Sequence, residues 1–321
     1  MKAIVYTQYG SPEKALQLRE VEKPTPKESQ VLVKVHAASV NALEWRGFSM
    51  SPLIRRLFGG LRKPRDPKLG VDVAGTVEAD GSNVTEFKPG DEVFGVAPGS
   101  FAEYVCNGES KFALKPANVS FEQAAAVPVA AFTALQGLRD KGQIQPGQKV
   151  LIDGASGGVG TFAVQIAKSY GAEVTAVCRT RNWDMVRSIG ADHVIDYTRE
   201  DFTKSGRRYD LILAVNGHHP MLNYRRALNQ TGICLVAGGS FSQVLQALFL
   251  GPIISRLGSR KIRFMGIATT PKQDLLILKE LLETGKIVPI IDKSYPLNET
   301  AEAIKYLMTE HARGKVVIEV A

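Results

Sequence analysis

VLIDGASGGVGTFAVQIAKSYGAEVTAVCRT, residues 150–180, runs through its residue types in the order of a strand, a tight turn, a helix and a second strand. Lys149 to Asp153 and Glu173 to Cys178 are short, apolar, β-branched runs. Strands buried on both faces of a parallel sheet look like this. Gly158 to Tyr170 carries its apolar residues at helical spacing. Between the first strand and the helix stands Ala155-Ser156-Gly157-Gly158-Val159-Gly160. Glycines there let the backbone turn sharply and approach a pyrophosphate, while the free N–H groups and dipole of the helix start attract its charge. The flanking strand and helix distinguish such a turn from a chance glycine cluster. Residues 155–160 are therefore expected to hold a nicotinamide dinucleotide.

The end of the second strand predicts which dinucleotide. NAD-binding units place an acid there for the ribose diol. Here the chain reads Cys178-Arg179-Thr180-Arg181-Asn182, with no carboxylate and two guanidinium groups suited to a 2′-phosphate. NADPH is the expected cofactor.

Outward from this unit, helix Trp183–Ile189 and strands His193–Ile195, Leu211–Val215, Ile233–Val236 and Arg263–Ile267 extend an α/β doubly wound Rossmann sheet. Upstream the grammar is different. Lys2–Tyr6, Gln30–Ala37, Val71–Glu78, Glu92–Val96 and Phe101–Cys106 are short strands between turn residues, an antiparallel, barrel-like β region. An Ala-rich helix interrupted by Pro128 follows from Phe121. Downstream, Pro271–Thr284, Val288–Tyr295, Glu299–Met308 and Lys315–Val320 give helix, strand, helix, strand. The expected domains are 1–121 (β-rich), 122–267 (cofactor-binding) and a return segment, 268–321, that completes the first.

Composition excludes several classes. The 321 residues, 44% hydrophobic and 22% charged, suit a two-domain globular protein rather than a disordered or fibrous one. The opening MKAIVYTQYG lacks the apolar run of a signal peptide, so a cytoplasmic location is expected. The longest apolar stretches, such as Val244–Ile254, are too short for a bilayer span, so no membrane partner is expected. Cys106, Cys178 and Cys234 form no CxxC pair and no disulfide framework. The net charge of +8 is scattered except at Arg55, Arg56, Arg62, Lys63 and Arg65, so no nucleic-acid partner is expected either.

Segments 37–47 (AASVNALEWRG), 70–95, 101–105 (FAEYV), 124–138, 154–160 (GASGGVG), 190–197 (GADHVIDY) and 311–320 (HARGKVVIEV) together resemble the medium-chain dehydrogenase/reductase superfamily, in its zinc-free quinone-oxidoreductase branch. The resemblance covers essentially the whole chain. It implies a GroES-like β-rich substrate domain, a Rossmann cofactor domain and an active-site cleft between them. It also implies hydride transfer from NADPH to a small-molecule acceptor, a quinone or an α,β-unsaturated carbonyl. Asn41 matches the position facing the nicotinamide, where zinc-dependent relatives carry a cysteine, and Thr133 a residue beside the ring. Tyr197 matches a tyrosine near the adenosine phosphate. Gly238, Gly239 and Lys315 fall in loops that resemble cofactor contacts, and a homodimer is one assembly the resemblance implies.

The chain also departs from its relatives. Glu44 stands where Asp is usual, and no tyrosine lies between Asn41 and Gly70 to donate a proton. Residues 50–67 form a basic, apolar insertion expected to shape substrate choice. With Asn41, Val71 and Asp72 at the positions of zinc ligands, no metal site is expected. Two other functions stay open: an enoyl-thioester reductase, whose phosphorylated carrier would meet the basic loop, and a non-catalytic NADPH-binding or regulatory protein.

Overall fold

The computed structural model describes residues 1–49, 64–256 and 258–320. Arg55, Arg56, Arg62 and Lys63 of the basic insertion lie outside the described residues. The chain forms two compact units: residues 1–129, 270–284 and 289–321, and residues 130–269 with 285–288.

The first unit opens with β1 (Lys2–Tyr6), the short helix α1 (Pro12–Ala15) and β2 (Leu16–Glu20), which pairs antiparallel with β1. Then come β3 (Gln30–Val40), α2 (Ala42–Ser49), β4 (Asp72–Asp80), β5 (Glu92–Val96), β6 (Tyr104–Gly108), β7 (Phe112–Leu114) and α3 (Phe121–Ala125). Helix α4 (Pro128–Gln136) crosses into the second unit.

The second unit continues with β8 (Lys149–Asp153), α5 (Gly158–Ser169), β9 (Glu173–Cys178), α6 (Trp183–Ser188), β10 (His193–Asp196), β11 (Tyr209–Ala214), α7 (Met221–Ala227), β12 (Leu228–Val236), α8 (Phe241–Arg256) and β13 (Lys261–Phe264). The chain then returns to the first unit with α9 (Lys272–Glu283), β14 (Ile291–Pro296), α10 (Thr300–Thr309) and β15 (Lys315–Glu319).

The larger sheet of the first unit has the order β14-β15-β3-β4-β5-β7, with β6 also on β3. All its pairings are antiparallel except β14 with β15. Strand β3 is central: β15 pairs with its end (Val316 opposite Val40) and β4 with the same end (Ser39 opposite Asp72). This register brings residues far apart in sequence to one corner.

The second unit is a six-stranded parallel sheet, β10-β9-β8-β11-β12-β13. The chain winds outward from β8 to β10, then restarts at β11 on the other side of β8. Ligands of such sheets lie at the C-terminal strand ends where the winding reverses, here the ends of β8 and β11, in register at Asp153 and Ala214.

The Ala-rich helix divides at Pro128, which cannot donate the backbone bond a continuous helix needs. Two expectations shift. The units part at 129/130 rather than 121/122, because α3 packs on β3 and β4 of the first unit. Strand Arg263–Ile267 is displaced to Lys261–Phe264; Gly266, at φ +82°, stands just beyond it.

Candidate functional site

In the second unit, the turn after β8 has the shape its glycines predict. Gly154 adopts φ +90°. A Cβ on Gly160 would lie 2.1 Å from the Gly154 carbonyl oxygen, so that glycine is required by helix–turn packing. Gly157 differs: a Cβ there would come no closer than 3.6 Å to any protein atom. The protein's own packing does not require glycine at that point, whereas a ligand lying on the turn would. No side chain caps the start of α5, so the first N–H groups of that helix are free of any capping partner. The turn fits a pyrophosphate.

Asn182 Nδ2 donates to Ser156 Oγ at 2.9 Å, tying the loop after β9 to this turn. Its buried Oδ1 has no hydrogen-bond partner among the described residues, and such an orphan acceptor beside a phosphate cradle is open to a ligand donor.

At the end of β9, Arg179 Nε donates to Tyr197 Oη at 2.7 Å, and the guanidinium lies 5.9 Å from the centre of the Tyr197 ring. The two residues sit on neighbouring strand ends because β9 and β10 pair in parallel, Cys178 opposite Asp196. Arg181 is exposed one turn further on. The sequence had concealed one carboxylate here. Asp196, eighteen positions beyond Cys178 yet beside it in space, accepts from Thr180 N (3.0 Å), the Thr180 hydroxyl, Thr198 N (2.8 Å) and Thr198 Oγ1 (2.7 Å). Burial opposes its ionisation, but the hydrogen bonds from Thr180 and Thr198 outweigh this and hold its pKa well below the usual carboxylate range. Its oxygens are spent on shaping the loop that presents the arginines.

Gly238 and Gly239 follow β12. Gly239 adopts φ +117°, and a Cβ on it would meet Gln243 Oε1 at 2.2 Å. Beneath them is a buried chain that sequence reasoning missed. Tyr224 Oη donates to Asp153 Oδ2 at 2.6 Å, and Gln243 Nε2 approaches Tyr224 Oη at 3.3 Å. Burial raises Asp153 to about 6. No motif joins positions 153, 224 and 243; the parallel register does. Thr133 lies half-buried on α4.

In the first unit, the corner of β3, β4 and β15 holds a second polar cluster. Asp72 Oδ2 accepts from Ser39 Oγ (2.7 Å), Asn41 Nδ2 (2.9 Å) and Lys315 Nζ (3.3 Å), while its Oδ1 accepts from Val129 N (2.9 Å) near the start of α4. Lys315 Nζ also donates to Asn41 Oδ1 (2.5 Å) and Val40 O (3.2 Å). Ser39, Asn41, Asp72 and Lys315 are all buried, and a charge that leaves water must be paired in this way. Lys315 begins strand β15, where a strand is expected, and its ammonium points inward onto Asn41 and Asp72. Asn41 keeps one hydrogen-bonding place at each end of its amide. Glu44 Oε2 accepts from Asn41 N at 2.8 Å, and burial pushes its carboxyl up to about 7. Among the described residues, no group of three or more His, Cys, Asp or Glu is arranged to hold a metal ion.

Family models match an alcohol dehydrogenase GroES-like domain over residues 27–130 and a zinc-binding dehydrogenase domain over residues 189–318. A chloroplastic quinone-oxidoreductase homolog of Spinacia oleracea is 34% identical over 336 residues, covering 99% of this chain and 98% of that protein. The chain belongs to the zinc-free quinone-oxidoreductase branch of the medium-chain dehydrogenase/reductase superfamily. Its two units are accordingly a GroES-like and a Rossmann-type domain. Within the same superfamily, the 2-methylene-furan-3-one reductase of Solanum lycopersicum is 35% identical over 334 residues, 99% of this chain and 79% of that one. The Escherichia coli quinone oxidoreductase solved with NADPH has a TM-score of 0.82 at 26% identity, covering 99% and 100% of the two chains. These relatives support an NAD(P)H-dependent oxidoreductase acting on a small molecule.

Proposed function

We propose that the protein is an NADPH-dependent reductase that delivers hydride to quinones or α,β-unsaturated carbonyls without a metal. The observation that carries the cofactor choice is the β9 end: Arg179 is held by Tyr197, while the carboxylate of Asp196 at the neighbouring strand end is engaged by Thr180 and Thr198. An acid facing the ribose would favour NADH; a guanidinium there favours a 2′-phosphate. The relatives named for quinone and furanone reduction support the acceptor class.

Residues 155–160 would hold the pyrophosphate, and Arg179, Thr180, Arg181 and Tyr197 the adenosine end. Gly238 and Gly239 would shape the loop beside the nicotinamide. When bound, the cofactor supplies a hydride. Asn41 and Thr133 orient ring and acceptor, Asn41 through the amide places that Asp72 and Lys315 leave open. Lys315 is thus a positioning residue: it fixes the Asn41 amide from within. The proton that completes reduction is taken from solvent, since no tyrosine lies between Asn41 and Gly70 to donate it. Quinones and enones accept hydride without a Lewis acid, so positioning carries most of the acceleration.

An acceptor panel followed by loss of NADPH absorbance tests this proposal. Quinones and enones should turn over faster than saturated alcohols are oxidised. No turnover across the panel by protein that binds NADPH would overturn it in favour of a binding role. Replacing Arg179 and Arg181 together by Ala should weaken NADPH binding about 10- to 150-fold, the range of one charge-assisted hydrogen bond, with NADH binding nearly unchanged. Equal loss for both cofactors would place the arginines elsewhere on the dinucleotide.

A further inference from the structure

Gln243, in the first turn of α8 (Phe241–Arg256), is 3% exposed, and its amide is wedged between two loops of the second unit. Its Nε2 donates to the His219 carbonyl oxygen at 3.2 Å, on the loop after β11, and to Tyr224 Oη at 3.3 Å. Tyr224 spends its own proton on Asp153 and so offers Gln243 a lone pair. Two acceptors on one side fix which way the amide points. Oε1 therefore faces the loop after β12, where a Cβ on Gly239 would collide with it. That oxygen is buried and has no hydrogen-bond partner among the described residues.

The loops are cut to fit this side chain. A Cβ on Gly217 would collide with Tyr224 Oη and Gln243 Nε2, and one on Gly239 would also stand 2.8 Å from the Gly217 carbonyl oxygen. The His219 ring packs edge-on against Phe202 and Tyr224, with centroids 4.9 and 5.8 Å apart, which anchors the same loop from behind. An unpaired buried acceptor opposes folding, and an apolar side chain of the same size would avoid that cost. Residues kept against stability in this way mark sites where geometry serves function.

The winding of the sheet indicates which function. The adenosine end belongs with Arg179 and Tyr197 at the ends of β9 and β10, and the pyrophosphate with the turn after β8. A dinucleotide laid across the reversal must put its other half over the ends of β11 and β12. Residues 215–220 and 237–240 form those two loops.

We infer that Gln243 is a positioning residue for hydride transfer: its amide locks the loops after β11 and β12 to each other and so sets where the nicotinamide ring lies. It acts through His219, Gly217 and Gly239 rather than by touching the cofactor. This role rests on the reductase reading above.

Gln243→Met, which keeps the volume, tests it in the full chain. The unfolding midpoint should hold, because two long hydrogen bonds and one unsatisfied acceptor disappear together. NADPH affinity should stay close to native, since the phosphates are held elsewhere, while kcat falls about 10- to 100-fold, the scale of a misplaced reacting group. Fluorescence of the bound reduced nicotinamide should change, a reading that needs no turnover. Gln243→Glu should turn over faster than Gln243→Met at pH 6. Facing Asp153 on β8, Tyr224 on α7 and His219 after β11, its buried carboxyl is protonated there and donates to the His219 carbonyl as the amide does. Native kcat with native ring fluorescence in Gln243→Met would overturn the inference. So would a joint loss of stability and NADPH affinity, or equal turnover by the two variants. A native chain that binds NADPH and reduces no acceptor defeats the reductase reading instead, and ring fluorescence of native and variant proteins then decides the role of Gln243.

Discussion

Gly157 and Gly160 belong to one motif and answer to different masters. Because a Cβ on Gly160 would collide with backbone, Gly160→Ala should cost about 1–3 kcal/mol of stability. Gly157→Ala should leave the unfolding midpoint in place and weaken both NADPH and NADH, since it touches only the shared pyrophosphate. Thermal unfolding and cofactor titration of the two variants separate these roles; a stability loss at Gly157 would show that the turn itself needs that glycine. Glu44 makes a pH prediction. Its folded pKa of about 7 stands above its ordinary 4.5, so its contribution to stability is fully present below pH 4.5 and is lost as pH rises through 7. Glu44→Gln should flatten the stability curve across that window, gaining up to about 3 kcal/mol relative to the native chain at its upper end. Denaturant unfolding at several pH values from 4.5 to 8 reads this directly, and parallel curves would remove Glu44 as the source.

Among the elements, the parallel sheet was the most legible. Its strands are apolar runs separated by glycine turns, and β9 and the start of α5 fall where the pattern places them. Pattern failed where an element lacks periodicity of its own. Strand β2 (Leu16–Glu20) has a single buried residue and exists because β1 pairs with it. Helix α8 read as an apolar stretch because its outward face is as apolar as a buried one. The glycine turn after β8 and the arginines after β9 stand out as motifs in the sequence, whereas Asp196 at the β9 end and the Asp153–Tyr224–Gln243 chain do not. Those groups meet only through strand register, and register is invisible in a single sequence. The chain beneath β8 and α7 carries its own prediction. Tyr224→Phe deprives a buried carboxylate of its donor, which should cost about 1.5–3 kcal/mol once Asp153 is ionised. Since Asp153 is raised to about 6, the loss should be largest above that pH and shrink below it. A loss independent of pH would point to packing rather than to the hydrogen bond.

For the molecule as a whole, a dinucleotide held by the parallel-sheet unit, as proposed, would act as a folding ligand of it. A ligand that binds only the folded state stabilises it by about 2.7 kcal/mol at a hundred times its dissociation constant. At equal concentration NADPH should therefore raise the unfolding midpoint further than NADH does, and Arg179→Ala with Arg181→Ala should erase the difference. Differential scanning calorimetry with each cofactor measures it, and identical shifts in the native chain would argue against NADPH preference. The first unit is harder to read from sequence because it is discontinuous: its return strands look like any others until they are seen paired with β3. That interleaving matters for biosynthesis. Lys315 meets Asn41 across 274 positions, and β15 occupies the place in the sheet beside β3. On a ribosome adding roughly 5–20 residues per second, the edge of β3 waits on the order of 10–60 s for its partner, while the parallel-sheet unit can complete its six strands first. A nascent chain of this protein therefore carries an open sheet edge through most of its translation, and its yield should depend on chaperones that shield such edges more than on the stability of the finished fold.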